Sequence, residues 1–332
     1  MQKVLLSFLV GFVISLIMSP LVMKLIRIIK GQQSILDYVD KHKSKQGTLT
    51  IGGLIFIFGS FFCYLTFFES DNRLASVALL AMLGFGLLGF LDDFIKIRFK
   101  QNLGLMAYQK FIGQVGIGLI LGYFIYSSPI TTKEIFLPFT DYSVSIGWWL
   151  IIFVMLYFVA VSNSVNFIDG LDGLAGGVTF VVLSFFTLII GLTASVSNET
   201  VVEIVRASEV TNVLILAGGV SGSILAFLCL NSHPAKIFMG DTGSLALGGF
   251  LAAIFALTGQ YLLLIIMGAM YVITTLSIVL QVGYFKLTRK RIFKMAPLHH
   301  HFEQLGYRET KIVSIYVIIT IVLCVFSLMM SM

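Results

Sequence analysis

The chain contains 332 residues, of which 58% are hydrophobic and only 11% are charged. Soluble proteins carry roughly a quarter charged residues, so this composition excludes an ordinary soluble domain and predicts a polytopic membrane protein. The net charge of +6 does not indicate nucleic-acid binding, because the basic residues lie in short loops between apolar runs. The three cysteines, Cys63, Cys229 and Cys324, each lie within an apolar run and lack the spacing of a zinc or redox site.

Apolar runs long enough to cross a bilayer recur along the whole chain. An α-helix needs about 20 apolar residues to cross a hydrocarbon core of roughly 30 Å. We therefore predict an all-α protein of about ten transmembrane helices, with residues 1–332 as a single integral membrane domain. The predicted spans are 4–23, 51–68, 74–91, 111–127, 147–165, 174–195, 210–230, 244–258, 262–285 and 312–331. A short turn at Gly259-Gln260 must separate the eighth from the ninth, and one long span is the alternative.

The basic residues predict the orientation, because cytoplasmic loops of membrane proteins are enriched in Lys and Arg. With ten spans, 18 of the 22 basic residues lie in loops on one side, and the remaining 4 lie on the other. The loops on the basic side lie near 24–50, 92–110, 166–173, 231–243 and 286–311. We expect them to face the cytoplasm and both termini to be extracytoplasmic. No ionisable side chain lies in the middle of a predicted span, which disfavours an ion-coupled transporter.

Two adjacent carboxylates, Asp92 and Asp93, stand where the third predicted span leaves the membrane. Two like charges side by side are unfavourable unless they share a cation or a proton. A solvated helix end is the alternative, and a lone Asp-Asp pair would favour it. The basic residues that follow, including Lys96 and Lys110, indicate an anion-binding loop, but membrane topology also accounts for them.

Asn163, Asn166, Asp169 and Asp172 recur at every third position where the fifth predicted span ends. This spacing keeps successive side chains within reach along one stripe of a helix. Their amide and carboxylate oxygens suit Mg²⁺. Asp-Gly occurs twice in the same segment and is common in turns, so a turn and a set of ligands remain equally open.

Two glycines flank Asp241 just before the eighth predicted span. Gly240 and Gly243 would let backbone N–H groups approach a phosphate or a nucleotide closely. Asp241 also has the position of an N-cap, which is the structural alternative. Phe238 is an aromatic residue in a polar loop, where it would stack on a base or fold back into the membrane interface.

Three adjacent histidines, His299, His300 and His301, lie in the last predicted cytoplasmic loop. Such residues bind metals or phosphates and move protons near neutral pH. No cysteine accompanies them, which disfavours structural zinc. The basic run at 286–294 is also compatible with an anionic-lipid patch. All four clusters lie on one predicted side, and this combination suits phosphoryl transfer at a membrane surface with the active site facing the cytoplasm.

Five motifs carry a resemblance to a known family. They are Gly47 to Gly53, Asp92-Asp93 through Leu105, Asn166 to Ala175, Phe238 to Gly249, and Met295 to Glu303. Over nearly its whole length, the chain resembles the polyprenyl-phosphate hexose-1-phosphate transferases. The histidine motif is similar to that of the branch that transfers phospho-N-acetylmuramoyl-pentapeptide.

The resemblance implies a Mg²⁺-dependent, multi-pass enzyme of the bacterial cytoplasmic membrane that acts in peptidoglycan synthesis. It would transfer phospho-N-acetylmuramoyl-pentapeptide from UDP-N-acetylmuramoyl-pentapeptide to undecaprenyl phosphate, giving lipid I and UMP. Membrane lipids are its other expected partners, nucleic acid is not one, and a homodimer is compatible with the resemblance. The alternatives are a UDP-N-acetylglucosamine-1-phosphate transferase that initiates teichoic acid or O-antigen synthesis, and, less favoured, a transporter.

The resemblance also implies roles for individual residues. Asp241 would be a metal ligand, while Asp92 and Asp93 would handle the metal or the lipid phosphate, with Asp92 as the base. His299 would act in catalysis near the phosphates. The expected substrate-binding residues are Lys45, Lys96, Lys110, Asn163, Asn166, Asp169, Asp172, Phe238, Gln281, His300 and His301. The chain has Thr274 where the family commonly has Glu, so that position receives no role.

Overall fold

The structure is a computed structural model that describes residues 1–29, 31, 47–67, 72–99, 104–140, 142–193 and 201–331. Within these ranges the chain forms twelve helices and one two-stranded hairpin. The helices before the hairpin are α1 (Gln2–Ile28), α2 (Gly53–Thr66), α3 (Arg73–Phe99) and α4 (Ala107–Ser127). The hairpin and the helices after it are β1 (Glu134–Phe136), β2 (Ser143–Ser145), α5 (Trp149–Ile168), α6 (Leu174–Thr193), α7 (Val201–Asn231), α8 (Gly240–Leu257), α9 (Tyr261–Met267), α10 (Ala269–Thr288), α11 (Leu298–Gln304) and α12 (Glu309–Ser331).

Nine helices in the described ranges are long and apolar enough to cross a membrane, namely α1, α3 to α8, α10 and α12. The predicted second span is α2, whose 14 residues rise only about 21 Å. The predicted ninth span is divided into α9 and α10 at Gly268. The prediction of an all-α, polytopic membrane protein is confirmed. The antiparallel β1–β2 hairpin, paired from Glu134 with Ser145 to Phe136 with Ser143, is an addition that the apolar pattern did not indicate.

The predicted turn between the eighth and ninth spans is present. Helix α8 ends at Leu257 and α9 begins at Tyr261. Gly259, between them, has a φ of +77°. Glycine adopts such a conformation without a steric penalty, so it allows the chain to reverse within a few residues.

Helix α8 is the central helix of the fold. Every residue from 242 to 257 is buried. This agrees with its sequence, since a helix that is apolar on all faces requires neighbours all round. Helices α3 and α5 lie against it, and the end of α3 that carries Asp92 and Asp93 meets the beginning of α8. Residues from three helices therefore come together at one end of the bundle.

The position of α3 is fixed at both of its ends. At its start, the Glu209 carboxylate of α7 accepts the main-chain N–H groups of Arg73 and Leu74, at 3.2 and 2.9 Å. Near its other end, Gly89 lies so close to α8 that an added Cβ would be 2.1 Å from the carbonyl oxygen of Asp241. Small residues allow this close backbone approach between membrane helices.

The orientation of the termini and the single-domain organisation stay predictions.

Candidate active site

Three carboxylates meet where α3 and α8 touch. Asp92 and Asp93 lie in the last two turns of α3, and Asp241 lies in the first turn of α8. One carboxylate oxygen from each lies within 4.8 Å of those of the other two. Asp92 and Asp93 are only 3% and 4% exposed. Because buried like charges repel strongly, this arrangement requires cations close by.

Two lysines supply part of that positive charge. Lys96 of α3 places its Nζ 2.9 Å from Asp241 Oδ2 and 3.7 Å from Asp93 Oδ1, and it also pairs with Asp92. Lys110 of α4 lies 3.0 Å from the same Oδ2 of Asp241. Among the described residues, these two ammonium groups face three carboxylates. A shared proton or a further cation would neutralise the remaining negative charge.

The second oxygen of Asp241 is held by an amide from α5. Asn166 donates from Nδ2 to Asp241 Oδ1 at 2.7 Å. The same Nδ2 donates to the hydroxyl oxygen of Ser244, also at 2.7 Å. Ser244 lies one turn after Asp241 on α8. Asp241 is thus held through one oxygen by lysines and through the other by Asn166.

Asp93 caps the beginning of α8. Its carboxylate accepts the main-chain N–H groups of Asp241 at 3.2 Å and Thr242 at 2.9 Å, and the Thr242 hydroxyl at 2.7 Å. The first N–H groups of a helix have no partner within the helix, and a negative charge there is stabilised by the helix dipole. Asp241 therefore does not cap α8, although its position in the sequence suggested that alternative. Asp93, from a different helix, accepts the N–H groups instead.

Asp92 is less fully engaged than its neighbour. Its Oδ1 accepts the main-chain N–H of Leu105 at 2.9 Å. Its Oδ2 forms the ion pair with Lys96 but has no hydrogen bond within the part of the chain that the structure describes. Of the two adjacent acids, Asp92 therefore has an oxygen, Oδ2, that is engaged by the Lys96 side chain rather than by main-chain N–H groups.

Asp169 follows the last residue of α5, at the turn that leads into α6. Burial, together with the negative charges of Asp241, Asp93 and Asp172, raises the pKa of Asp169 to about 8. The influence of Asp241 and Asp93 places this carboxyl group in the field of the acidic cluster. Asp169 therefore holds a proton at neutral pH unless additional positive charge enters the site.

Two of the three adjacent histidines pack on this same turn. His299 is fully buried, and an added Cβ on Gly170 would lie 2.3 Å from its Nε2 and 3.0 Å from Nε2 of His300. His300 Nδ1 lies 2.6 Å from a carboxylate oxygen of Glu303. His301 points elsewhere, since its Nδ1 accepts the main-chain N–H of Lys294 at 3.1 Å. The structure thus places two of the histidines beside Gly170, the residue that follows Asp169.

Asp172 and Phe238 shape the loop before α8. The buried Asp172 carboxylate accepts the main-chain N–H of Ala235 at 3.0 Å and lies 3.2 Å from Nδ1 of His233. Asn231 assists by accepting from the Gly173 N–H at 3.0 Å and donating to the Ile237 carbonyl at 2.8 Å. The half-buried Phe238 is then tied to the chain before α2, because its N–H donates to the Leu49 carbonyl at 2.7 Å.

The other residues expected at the site differ in their surroundings. The Asn163 side chain pairs with Gln114 of α4. Gln281 supports a turn, since its Oε1 accepts the main-chain N–H groups of Ile292 at 3.1 Å and Phe293 at 2.9 Å. Lys45 lies outside the described residues.

Sequence reasoning did not single out Gln114, Thr242 or Ser244. The signal that could have found Gln114 is its polarity inside an apolar run, because a polar group within a membrane helix needs a partner there. Thr242 and Ser244 lie inside the motif from Phe238 to Gly249. Nothing in their residue type distinguishes them from Ser and Thr side chains that bond only to their own helix.

Known proteins match this chain over most of its length. A family model described as glycosyl transferase family 4 matches residues 74–260, which is more than half of the chain. These residues run from α3 to the turn before α9 and carry the three carboxylates. The fold and the site therefore define a membrane transferase of that family.

Relatives that bear the name phospho-N-acetylmuramoyl-pentapeptide-transferase are similar to nearly the whole chain. One from Clostridioides difficile is 44% identical over 316 residues, covering 95% of this chain and 94% of the relative. One from Clostridium novyi is 41% identical over 325 residues, covering 98% and 95%, and one from Clostridium perfringens is 42% identical over 323 residues, covering 97% and 96%. The chain belongs to the phospho-N-acetylmuramoyl-pentapeptide transferase family, which confirms the resemblance and the prediction of an enzyme.

Proposed function

We propose that this chain transfers phospho-N-acetylmuramoyl-pentapeptide from UDP-N-acetylmuramoyl-pentapeptide to undecaprenyl phosphate, giving lipid I and UMP. The observation that carries the proposal is the convergence of Asp92, Asp93 and Asp241 with Lys96 and Lys110 at one end of the bundle. Such a cluster suits phosphoryl transfer, where catalysis is mainly positioning and charge neutralisation. The relatives' name supplies the transferred group, and the motifs supply the two carriers by resemblance.

The residues present fit a magnesium ion. Carboxylate oxygens are the ligands that Mg²⁺ prefers, and it takes only one or two of them from a protein. Asp241 and Asp92 would hold it, with Asp93 beside them, and the approach of the three carboxylates to within 4.8 Å of one another supports this assignment. When bound, Mg²⁺ would neutralise charge on the diphosphate of the donor.

Asp92 is the proposed base. It would accept the proton from the phosphate of the lipid acceptor, whose oxygen then forms a bond to the β-phosphorus of the donor. The bond between that phosphorus and the bridging oxygen breaks, and UMP leaves with the electron pair. The Oδ2 of Asp92 is engaged by the Lys96 side chain and not by the main chain, which supports this role, whereas the carboxylate of Asp93 is committed to capping α8.

The lysines and the polar turn have complementary proposed roles. Lys96 and Lys110 would neutralise phosphate oxygens and keep Asp241 oriented. Asp169, with His299 and His300 packed beside it, would contact the nucleotide and its phosphates. Phe238, on the loop held by Asp172, would lie near the uracil, and Asn166 would line the same cleft. For Gln281, His301 and Lys45, the proposed substrate contacts rest on the resemblance alone.

The proposed setting is the cytoplasmic membrane of a bacterium, with the site facing the cytoplasm and both termini outside. The charge asymmetry of the loops and the location of the carboxylates at one end of the bundle support this orientation. A single domain of residues 1–332 and association into a homodimer belong to the same proposal.

A donor-competition experiment tests the function. The purified full chain is given undecaprenyl phosphate, Mg²⁺ and either UDP-N-acetylmuramoyl-pentapeptide or UDP-N-acetylglucosamine, and both UMP and the lipid product are measured. We expect lipid product from the first donor only. Product from UDP-N-acetylglucosamine alone would establish the alternative transferase, and a folded protein that releases no UMP with either donor would refute both. Chelation of Mg²⁺ with EDTA should stop the reaction, and its persistence would refute the metal requirement.

A further inference from the structure

Gln114 lies in α4 and pairs with Asn163 of α5 inside the bundle. Asn163 donates from Nδ2 to Gln114 Oε1 at 2.8 Å, and Gln114 donates from Nε2 to Asn163 Oδ1 at 3.4 Å. Gln114 is only 1% exposed. Its amide is therefore committed to Asn163 and takes no direct part in the carboxylate cluster.

The rest of the contact between α4 and α5 includes two glycines that lie close to the facing backbone. An added Cβ on Gly118 would lie 3.1 Å from the backbone of Met155, and one on Gly122 would lie 2.7 Å from the Ile151 carbonyl oxygen. Glycines let two helices approach closely but leave few side chains to prevent one from sliding along the other. Among the described residues, the Gln114–Asn163 pair supplies the only side-chain hydrogen bonds between α4 and α5.

The amide pair lies one helical turn from two residues that hold Asp241. Lys110 precedes Gln114 by four positions on α4, and Asn166 follows Asn163 by three positions on α5, so each shares a helix face with its neighbour. Lys110 reaches Asp241 Oδ2 at 3.0 Å, and Asn166 reaches Oδ1 at 2.7 Å. Asp241 is thus held by side chains from α4 and α5, so its orientation depends on the axial position of one helix relative to the other.

We propose that Gln114 is a positioning residue for the transfer reaction, because its pair with Asn163 sets the axial register of α4 against α5. That register keeps Lys110 and Asn166 on the two oxygens of Asp241. A small sliding of α4 along α5 would lengthen the contact between Lys110 and Asp241, because α4 carries Lys110. The contact between Asn166 and Asp241 would stay in place, because α5 carries Asn166. The inference rests on the proposed function, and it assigns Asn163 a role through Gln114 rather than through the substrate.

A set of amide variants tests the inference on the full chain in detergent. Gln114→Leu, Asn163→Leu and the double variant remove the pair, whereas Gln114→Asn combined with Asn163→Gln exchanges the two amides and retains their summed length. Gln109→Leu is the matched control, because Gln109 lies on the same helix but is exposed, and within the described ranges its side chain accepts one hydrogen bond, from the Met106 N–H. If the wild-type chain fails to turn over, the proposed function fails. Comparisons among variants test Gln114 alone.

We expect Gln114→Leu to lower kcat by about 10- to 100-fold, since displacements of about 1 Å at a reactive centre have effects of this size. The Mg²⁺ concentration for half-maximal activity, and that for the half-maximal Mg²⁺-induced shift of the thermal unfolding midpoint, should both rise. The double variant should be no worse than either single variant, and the exchanged pair should recover most of the activity. Gln109→Leu should leave all three quantities unchanged.

The inference is overturned if Gln114→Leu keeps wild-type kcat. It is also overturned if kcat falls while both Mg²⁺ dependences stay unchanged and the exchanged pair gives no recovery, because helix packing alone would then explain the loss. Should Gln114→Leu not fold, Gln114→Asn with native Asn163 carries the same test, since it keeps the polarity of the side chain but shortens its reach.

Discussion

Thr242 donates two hydrogen bonds to a single oxygen of Asp93, one from its main-chain N–H at 2.9 Å and one from its hydroxyl at 2.7 Å. This contact joins the end of α3 to the beginning of α8. Both residues are buried, so the hydrogen bonds form where water does not compete for them. The carboxylates of Asp92 and Asp241 are held in proximity by this connection between their helices.

Replacement of Thr242 by Val should therefore weaken the protein and its activity together. The change removes one hydrogen bond to a charged group while keeping the shape of the side chain, so we expect the free energy of unfolding to fall by about 1.5–3 kcal/mol. Thermal unfolding in detergent and UMP release measure the two effects. Thr258→Val is the control, because Thr258 is buried directly after the last residue of α8 and, among the described residues, its hydroxyl bonds only to carbonyls of that helix. Equal losses in both variants would contradict a special role for Thr242.

Asp92→Asn should remove turnover while leaving the protein folded. A positioned general base contributes roughly 10²- to 10⁴-fold, and the amide cannot accept the proton. The rate of UMP release measures the loss, and Asp241→Asn should give a loss at least as large. Glu134→Gln serves as the matched control, since β1 lies beside Gly259, beyond the opposite end of α8 from Asp241. Near-normal turnover in Asp92→Asn would exclude it as the base.

The raised pKa of Asp169 predicts a dependence of stability on pH. Its pKa is about 8 in the folded chain and about 3.9 in an unfolded one, so the folded state binds the proton more tightly. In metal-free protein, the protonated Asp169 carboxyl therefore contributes to the free energy of unfolding, and this contribution is fully present below about pH 4. It is lost at up to about 1.4 kcal/mol per pH unit as the pH rises, and it is gone above about pH 8.

Asp169→Asn should remove that loss, since the amide does not ionise. We expect the thermal unfolding midpoints of the variant and the wild type to diverge as the pH rises from about 4 to about 8, with the variant the more stable at the upper end. A series of buffers with EDTA present provides the measurement. Parallel profiles across this range would show that Asp169 ionises normally.

Gly170→Ala should displace the histidines from the turn that carries Asp169. The added Cβ would lie 2.3 Å from His299 Nε2, a separation that requires the buried ring to move. Overpacking of this kind lowers the free energy of unfolding by about 1–3 kcal/mol, and turnover should fall with it. Gly283→Ala on α10 is the control, because an added Cβ there meets no atom within 4 Å. Wild-type turnover in Gly170→Ala would argue against a role for this histidine packing.

Several features of the site followed from the sequence. Asp92, Asp93 and Asp241 were predicted to lie at membrane helix ends on the same side, and the structure brings their carboxylates within 4.8 Å of one another. The turn at Gly259 was also predicted, because an apolar run longer than one span must reverse somewhere and glycine permits it. A helix was predicted where α2 lies, but its shortness was not, and the β1–β2 hairpin was not predicted. Neither feature differs enough in composition from its surroundings.

The individual tasks of these residues did not follow from the sequence. Asp241 has the sequence position of an N-cap, yet Asp93 of α3 performs the capping. Asp172, expected near the nucleotide, directs its buried carboxylate to the Ala235 N–H. In both cases the partner is far away along the chain, so only the packing of helices against one another decides which donor reaches which carboxylate.

The sequence by itself determined that this is a multi-pass membrane protein whose acidic, amide and histidine motifs stand at helix ends on one side. Spacing of apolar runs and placement of charge are local properties, and a bilayer imposes them on any chain that crosses it. Only the tertiary structure decided that Lys96 and Lys110 share one oxygen of Asp241, that Asp92 keeps an oxygen without a hydrogen bond, and that Gln114 joins α4 to α5. These relationships depend on the axial position and rotation of each helix against its neighbours, which contacts between residues far apart in the chain decide.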